Sequence, residues 1–212
     1  MKLYTFFRSS AAFRVRIALN LKGLGYESIP KAFAKNEHRA PDYLAVNPQG
    51  LLPALDVDGT VLSQSLAIIE YLDETRPTPP FLPKDPIGRA HARSMAQAIA
   101  CDIHPVNNLR ILNYLKKELQ QDEITVNTWY RHWITAGFRG LEAQARKFST
   151  SQRYMFGDAV SIADICLVPQ MFNARRFETD LSAFPTLVAI DSHLESLPAF
   201  ADARPEVQPD AK

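Results

Sequence analysis

The chain has 212 residues, 46% of them hydrophobic, enough to build one large domain or two small ones around a buried core. Lys+Arg 24 against Asp+Glu 23 leaves a net charge of +1 with no run of like charge, which argues against nucleic acid or an anionic membrane as a partner. The two cysteines, in "AIACDI" and "IADICLV", form neither a disulfide framework nor a metal pattern, and no stretch reaches the roughly 18 apolar residues of a membrane span, so a soluble, unprocessed, cytoplasmic protein is expected.

In chain order, "KLYTFF" (2–7) reads as a short aromatic strand. Residues 11–22 carry Phe13, Ile17 and Leu21 at helical spacing until Gly23 stops them. A second strand follows at "YESIP", then a short helix, "PDYLAVNP", closed by Asn-Pro. "PALDV" and "TVLS" flank an Asp58-Gly59 hairpin turn, and "SLAIIEYLDE" is a helix entered through Ser65. The order β-α-β, crossover, β-β-α predicts a small mixed sheet with helices on both faces, a thioredoxin-like domain over residues 1–75.

Residues 75–86, "TRPTPPFLPKDP", hold five prolines and cannot continue a helix, so 76–86 is expected to be a stiff linker. Beyond it the pattern turns wholly helical, at about 87–118, 122–148, 161–174 and 185–197. The expected second domain, 87–212, is an all-α bundle.

Three places in the first domain favour a bound anion or peptide. In "FFRSSAAFRVRIALNLKG", Arg8, Ser9 and Ser10 stand where a strand meets a helix N-terminus, which presents free N–H groups and the positive end of the helix dipole. In "NPQGLLPAL", Pro53 opens a strand that otherwise reads as central. A cis Leu52–Pro53 bond would expose the backbone of Leu52 to a peptide-like ligand, and a simple edge proline is the equal alternative. In "SQSLAIIEY", Gln64 and Ser65 sit at another helix N-terminus, where ordinary capping is the competing explanation. Taken together, these features fit a short acidic peptide carrying a thiol, for which glutathione is the obvious candidate.

With "RSSAAFRVRIAL", "NPQGLLPAL", "QSLAIIEYLDETRPTP", "SIADICLVPQ", "NARRF" and the terminal "QPD" in this order, essentially the whole chain resembles the zeta-class glutathione transferases. That group includes the maleylacetoacetate isomerases, and the related bacterial maleylpyruvate isomerases are similar in "CDIHPVNNLRIL" as well. The resemblance implies a glutathione transferase fold and a homodimer. Glutathione would act as a coenzyme, with a small dicarboxylate diketo acid as the substrate. Its activated thiolate would add to the electron-poor cis double bond, permit rotation and leave from the trans product.

Ser9 matches the family's catalytic serine, which would donate its hydroxyl to the glutathione sulfur and, with the helix terminus, lower the thiol pKa. Ser10 and Arg8 complete the catalytic set. Ala11, Ala12 and Phe13 replace the family's Cys, Ser and Trp, so a cysteine there is not essential to a serine-assisted mechanism. Arg8, Arg110 and Arg176 are the expected substrate-binding residues, since guanidinium groups recognise carboxylates bidentately. Arg8 and Arg176 match positions shared widely, and Arg110 matches the bacterial subgroup. Arg175 is turned away from Arg176 by about 100° of helix and is left out.

Glutathione contacts are expected from Ser9, His38, Gln49, Leu52, Pro53, Gln64 and Ser65. His104 and Asn108, spaced i, i+4 on one helix face, are expected to add to them, with a hydrogen-bonded structural role as the alternative for His104. Arg110 is about 120° from His104 in a straight helix, a phase that Pro105 could change. Ser161 and Asp164 have the spacing of a capping box that serves folding, and Trp129 and Trp133 are expected to pack in the bundle.

The resulting reading is a glutathione-dependent isomerase of maleylacetoacetate, with maleylpyruvate as the alternative substrate. A transferase that conjugates or dehalogenates small electrophiles such as α-haloacids, and a non-enzymatic relative that keeps only the fold, are the competing classes. The intact serine pair argues against the last.

Overall fold

The computed structural model describes residues 1–211. Its first part runs β1 (Lys2–Thr5), α1 (Ser10–Leu21), β2 (Glu27–Pro30), α2 (Pro41–Val46), β3 (Ala54–Val57), β4 (Thr60–Ser63) and α3 (Ser65–Thr75), the order expected from the sequence. β1 pairs parallel with β2 and antiparallel with β3, and β3 pairs antiparallel with β4, giving the sheet order β2-β1-β3-β4. Leu3 faces Leu55 across the central pair and both are fully buried, each contributing about 1.5–3 kcal/mol by leaving water. Asp58 and Gly59, at φ 52° and 88°, form the left-handed pair that a two-residue hairpin between right-twisted strands requires.

α1 is capped by Ser9, whose side chain accepts from the Ala12 N–H. The helix is buried from Ala12 to Leu19, including Arg14 and Arg16, each only 1% exposed, so it lacks the solvent stripe of a surface helix. It packs against α3. The Leu52–Pro53 bond is cis.

The second part of the chain contains α4 (Pro86–Gln97), α5 (His104–Val106), α6 (Leu109–Lys117), α7 (Glu123–Phe148), α8 (Ile162–Arg176), α9 (Pro185–Glu195) and α10 (Pro198–Ala201). α8 is buried on almost every side and packs against α4 and α9. Its start is fixed as the sequence predicts. Asp164 accepts from the Ser161 N–H at 2.8 Å and the Ser161 hydroxyl at 2.7 Å, and also takes the Met155 N–H at 2.7 Å. Glu142 on α7 accepts from the Thr186 and Leu187 N–H groups in the first turn of α9, a carboxylate placed on the positive end of a helix dipole.

The helix expected over 87–118 is not continuous. α4 passes into a π-helical turn at Ala98–Ile103, and the chain breaks again between α5 and α6. Both departures lie against neighbouring α7. Gly137 lets it approach so closely that an added Cβ would overlap the Ile103 side chain. Asn107 donates to the Tyr130 carbonyl at 3.1 Å and Trp129 Nε1 to the Val106 carbonyl at 2.9 Å, which pins the break.

By packing, the chain divides into two compact units. One is Met1–Phe81 with the residues from Ser196 onward, the other Leu82–Glu195. The division falls inside the proline-rich stretch, but the assignment of the last residues to the helical domain needs correction. The C-terminal tail belongs to the first unit because α1 holds it: Arg16 Nε donates to the Ala203 carbonyl and Asn20 Nδ2 to that of Ala199, each at 3.0 Å. Sequence periodicity carries no record of such long-range contacts.

Candidate active site

In the first unit, the loop between β1 and α1 is set from its backbone. The Ser9 N–H donates to the Phe6 carbonyl at 2.9 Å, closing a turn that places Ser9 at the N-terminus of α1. Ser9 Oγ accepts from the Ala12 N–H at 3.2 Å, which leaves the hydroxyl hydrogen free to point away from the helix. A cap thereby becomes a donor. Ser10 is the first helical residue and is buried, while Arg8 is exposed, its guanidinium lying 5.0 Å from the Phe7 ring centre and 5.8 Å from that of Phe6.

The start of α3 departs from this pattern. Gln64, not Ser65, occupies the N-cap, with φ 69° and ψ 117°, and makes no side-chain cap hydrogen bond. Ordinary capping by Ser65 is therefore not what the structure contains. Ser65 is the first helical residue, buried, and its Oγ accepts from Arg14 Nη1 at 3.3 Å. Gln64 Nε2 donates to Gln49 Oε1 at 3.2 Å, so two of the expected glutathione residues meet directly.

The loop bearing Gln49 and Leu52 is tied down by residues that sequence reasoning missed. Asn47 donates to the Leu51 carbonyl at 2.9 Å and accepts from the Gln49 N–H at 3.2 Å; the Tyr43 hydroxyl reaches the same carbonyl at 2.6 Å. Burial of Tyr43 raises its pKa to about 12, so it stays a neutral donor. Asn47 before Pro48 is an Asx-turn signal that could have flagged this residue. Arg14 was legible only as a charge inside the apolar "FRVRIAL".

His38 lies in a 3₁₀ turn, Glu37–Arg39, its ring centre 4.4 Å from that of Phe33 and tilted 59° to it, with its Nδ1 buried and without a hydrogen-bond partner. Burial, with Arg39 adding to it, lowers its pKa, so at neutral pH it would meet a carboxylate as a neutral donor.

The second unit separates its four expected residues by element. His104 is in α5. Asn108 is the N-cap of α6, with Oδ1 accepting from the Arg110 N–H at 3.1 Å. The helical phase expected for the 104/108 pair is therefore absent, because Asn108 is in extended backbone conformation after the break at Asn107. Arg110 is exposed in the first turn of α6. Arg176 ends α8, exposed, its guanidinium 5.0 Å from the Phe177 ring centre, and that ring stacks at 3.6 Å on buried Tyr130. Arg175 instead pairs with buried Asp191 at 2.5 Å. Trp129 and Trp133 meet edge to face at 5.7 Å.

The donor set of the first unit suits an anionic thiol peptide: hydroxyls at Ser9 and Ser65, amides at Gln49 and Gln64, and two helix N-termini. Comparison with known proteins agrees with this chemistry. Residues 1–74 match the family described as "Glutathione S-transferase, N-terminal domain". A probable maleylacetoacetate isomerase of Vibrio cholerae is 50% identical over 212 residues, covering 99% of this chain and 97% of that protein. Among solved structures, a holo maleylpyruvate isomerase, described as a bacterial zeta-class glutathione S-transferase, superimposes with a TM-score of 0.98 at 48% identity over the full length of both chains. The maleylacetoacetate isomerase of Methylobacterium extorquens AM1, solved with malonate and glutathione bound, gives 0.95 at 42% identity, again over both full lengths. This chain belongs to the zeta-class glutathione transferases, in the group of maleylacetoacetate and maleylpyruvate isomerases.

Proposed function

We propose that the protein is a glutathione-dependent cis–trans isomerase that converts maleylacetoacetate to fumarylacetoacetate. The observation that carries this reading is Ser9, a helix N-cap whose oxygen is held from below by the Ala12 N–H while its hydrogen is left to a ligand. Glutathione, when bound, supplies a thiolate that adds reversibly to the cis double bond. Ser9 and the N-terminus of α1 stabilise that negative charge, with Ser10 beside them. Gln49, Leu52, Pro53, Gln64, Ser65 and His38 hold the peptide portion of the coenzyme, and His104 and Asn108 are the helical unit's contributions. Arg8, Arg110 and Arg176 bind the carboxylates of the diketo acid and oppose the negative charge that develops in the transition state.

Maleylpyruvate is the second reading, favoured by the full-length 48% identity to a maleylpyruvate isomerase and by Arg110 in the bacterial "NNLRIL" pattern. Both substrates present the same reactive unit. We further assign a homodimer working in the cytoplasm, a setting supported by two free cysteines. Absorbance assays on maleylacetone and maleylpyruvate, with and without glutathione, test the assignment. Strictly glutathione-dependent turnover of one of them supports it and selects the substrate. No turnover of either, with glutathione still bound, would reassign the protein to conjugating or dehalogenating chemistry.

A further inference from the structure

The proposed chemistry gives the terminal "QPD" motif no task. In the structure its three residues divide a single job. Gln208 turns its side chain back on the tail, donating from Nε2 to the carbonyls of Asp202 at 3.0 Å and Arg204 at 2.9 Å. Pro209 begins a 3₁₀ turn, Pro209–Ala211, and Asp210 on that turn accepts the Phe7 N–H at 2.9 Å through Oδ2. The two bonded residues are 203 positions apart in the sequence.

The carbonyl of Phe7 is held as well. Arg16 Nη2 donates to the Phe7 carbonyl at 2.9 Å, Nη1 to Thr5 Oγ1 at 3.2 Å and to the Phe6 carbonyl at 3.5 Å, while Nε reaches Ala203 in the tail. The tail thus grips the loop twice, once through its own carboxylate and once through a buried guanidinium. Burial lowers the Arg16 pKa to about 10 against the opposing influence of Tyr26 and Asp210, so Asp210 also compensates this interior charge. From the clamped peptide the connection to the site is short. The Phe6 carbonyl that Arg16 touches also accepts the Ser9 N–H, and Arg8 lies between.

We propose that the C-terminal Gln208-Pro209-Asp210 segment is a latch that fixes the β1–α1 loop, with Asp210 the positioning residue for Ser9. This rests on the reading of Ser9 as the residue that faces the coenzyme sulfur. Asp210 touches neither coenzyme nor substrate. It acts by holding the Phe7 amide, and a loop displaced by a fraction of an ångström misdirects the Ser9 hydroxyl without dismantling the rest of the glutathione site.

The test uses the full-length chain carrying Asp210→Ala or Asp210→Asn, alone and combined with Ser9→Ala. Asp210→Ala is expected to lower kcat about tenfold with the glutathione Kd changed by less than about twofold, and Asp210→Asn, which keeps an acceptor oxygen, to recover most of that loss. The loss should vanish in the Ser9→Ala background, because a positioning residue has no effect once the group it positions is gone. A readout independent of turnover is hydrogen exchange at the Phe7 amide, expected to accelerate about tenfold or more in Asp210→Ala and less in Asp210→Asn. Unchanged Phe7 protection in Asp210→Ala, or in Asp210→Leu should the alanine variant not fold, overturns the latch, since neither side chain can accept from that amide. Equal losses with and without Ser9 overturn the link to Ser9. Wild-type turnover of Ser9→Ala alone would instead sink the underlying reading of the site, so the two failures are distinguishable.

Discussion

Gln64 donates from Nε2 to Gln49 Oε1 at 3.2 Å, and does so from a backbone position, φ 69° and ψ 117°, that favours glycine. Holding a long side chain in left-handed backbone costs about 1–3 kcal/mol, a cost that such sites bear where the geometry serves a ligand. Gln64→Gly is therefore expected to act in two directions. It relieves the backbone and raises stability by about 1 kcal/mol, while removal of the amide weakens glutathione binding about tenfold. Thermal unfolding and calorimetric titration with glutathione, made on one preparation, check both signs. A variant that loses stability and affinity together would make Gln64 a structural residue only.

Ser9 carries two separable roles, cap and donor. Ser9→Ala should cost about 1 kcal/mol of stability for the lost cap and a 10²- to 10³-fold fall in kcat, with glutathione binding mostly retained. Ser9→Asp separates them. Its carboxylate accepts the Ala12 N–H and restores the cap, but it has no proton to donate and opposes a thiolate. Recovered melting temperature with turnover still lost is the expected pair of results; unchanged turnover in Ser9→Ala removes Ser9 from the mechanism.

Much of this was legible because it is local. Each strand and helix of the first unit, the Asp58-Gly59 hairpin, the serine-bearing junction before α1 and the Ser161–Asp164 box depend on residues within a few positions of one another. What escaped depends on distance. No periodicity reveals that Arg14 reaches Ser65, that Gly137 admits Ile103 and a π-helical turn forms beside it, or that the tail returns to Arg16. The misread pair His104 and Asn108 shows the cost: an i, i+4 spacing has meaning only if the helix is continuous, and the contacts of Asn107 and Trp129 with neighbouring backbone interrupt it.

Arg176 presents its guanidinium on a stacked base, the Phe177 ring backed by Tyr130. An aromatic base suits a planar cation, and in the substrate site proposed above Arg176 would meet a carboxylate with its two-pronged fork. Arg176→Ala is expected to raise the KM for the diketo acid about tenfold or more with glutathione affinity unchanged, and Arg176→Lys to recover only a small part because charge alone does not restore the fork. Steady-state kinetics at saturating glutathione decide it. An unchanged KM would place Arg176 outside the substrate site.

Asp164 sets a pH dependence of stability opposite to that of most carboxylates. Burial raises its pKa from 3.8 to about 6, although hydrogen bonds from Met155 and Ser161 favour its ionised form. The folded state therefore binds this proton more tightly than the unfolded chain. Its stabilising contribution is fully present below about pH 4 and is lost as pH rises through about 6, a change on the order of 2–3 kcal/mol. Glu142 runs the other way. Burial opposes its charge, but the contacts from Thr186, Leu187 and Arg146 outweigh this and lower its pKa, so its contribution fades as pH falls. The raw stability curve blends the two, and the difference between wild type and Asp164→Asn isolates Asp164. Asparagine keeps one acceptor but sets a donor against Ser161, so near pH 4, where Asp164 is protonated, the variant should be less stable by about 1–3 kcal/mol. The gap should be widest near pH 4 and narrow towards pH 7, measured by urea unfolding across that range. A gap that instead widens with pH would show that the hydrogen bonds to the ionised carboxylate, not its burial, govern Asp164.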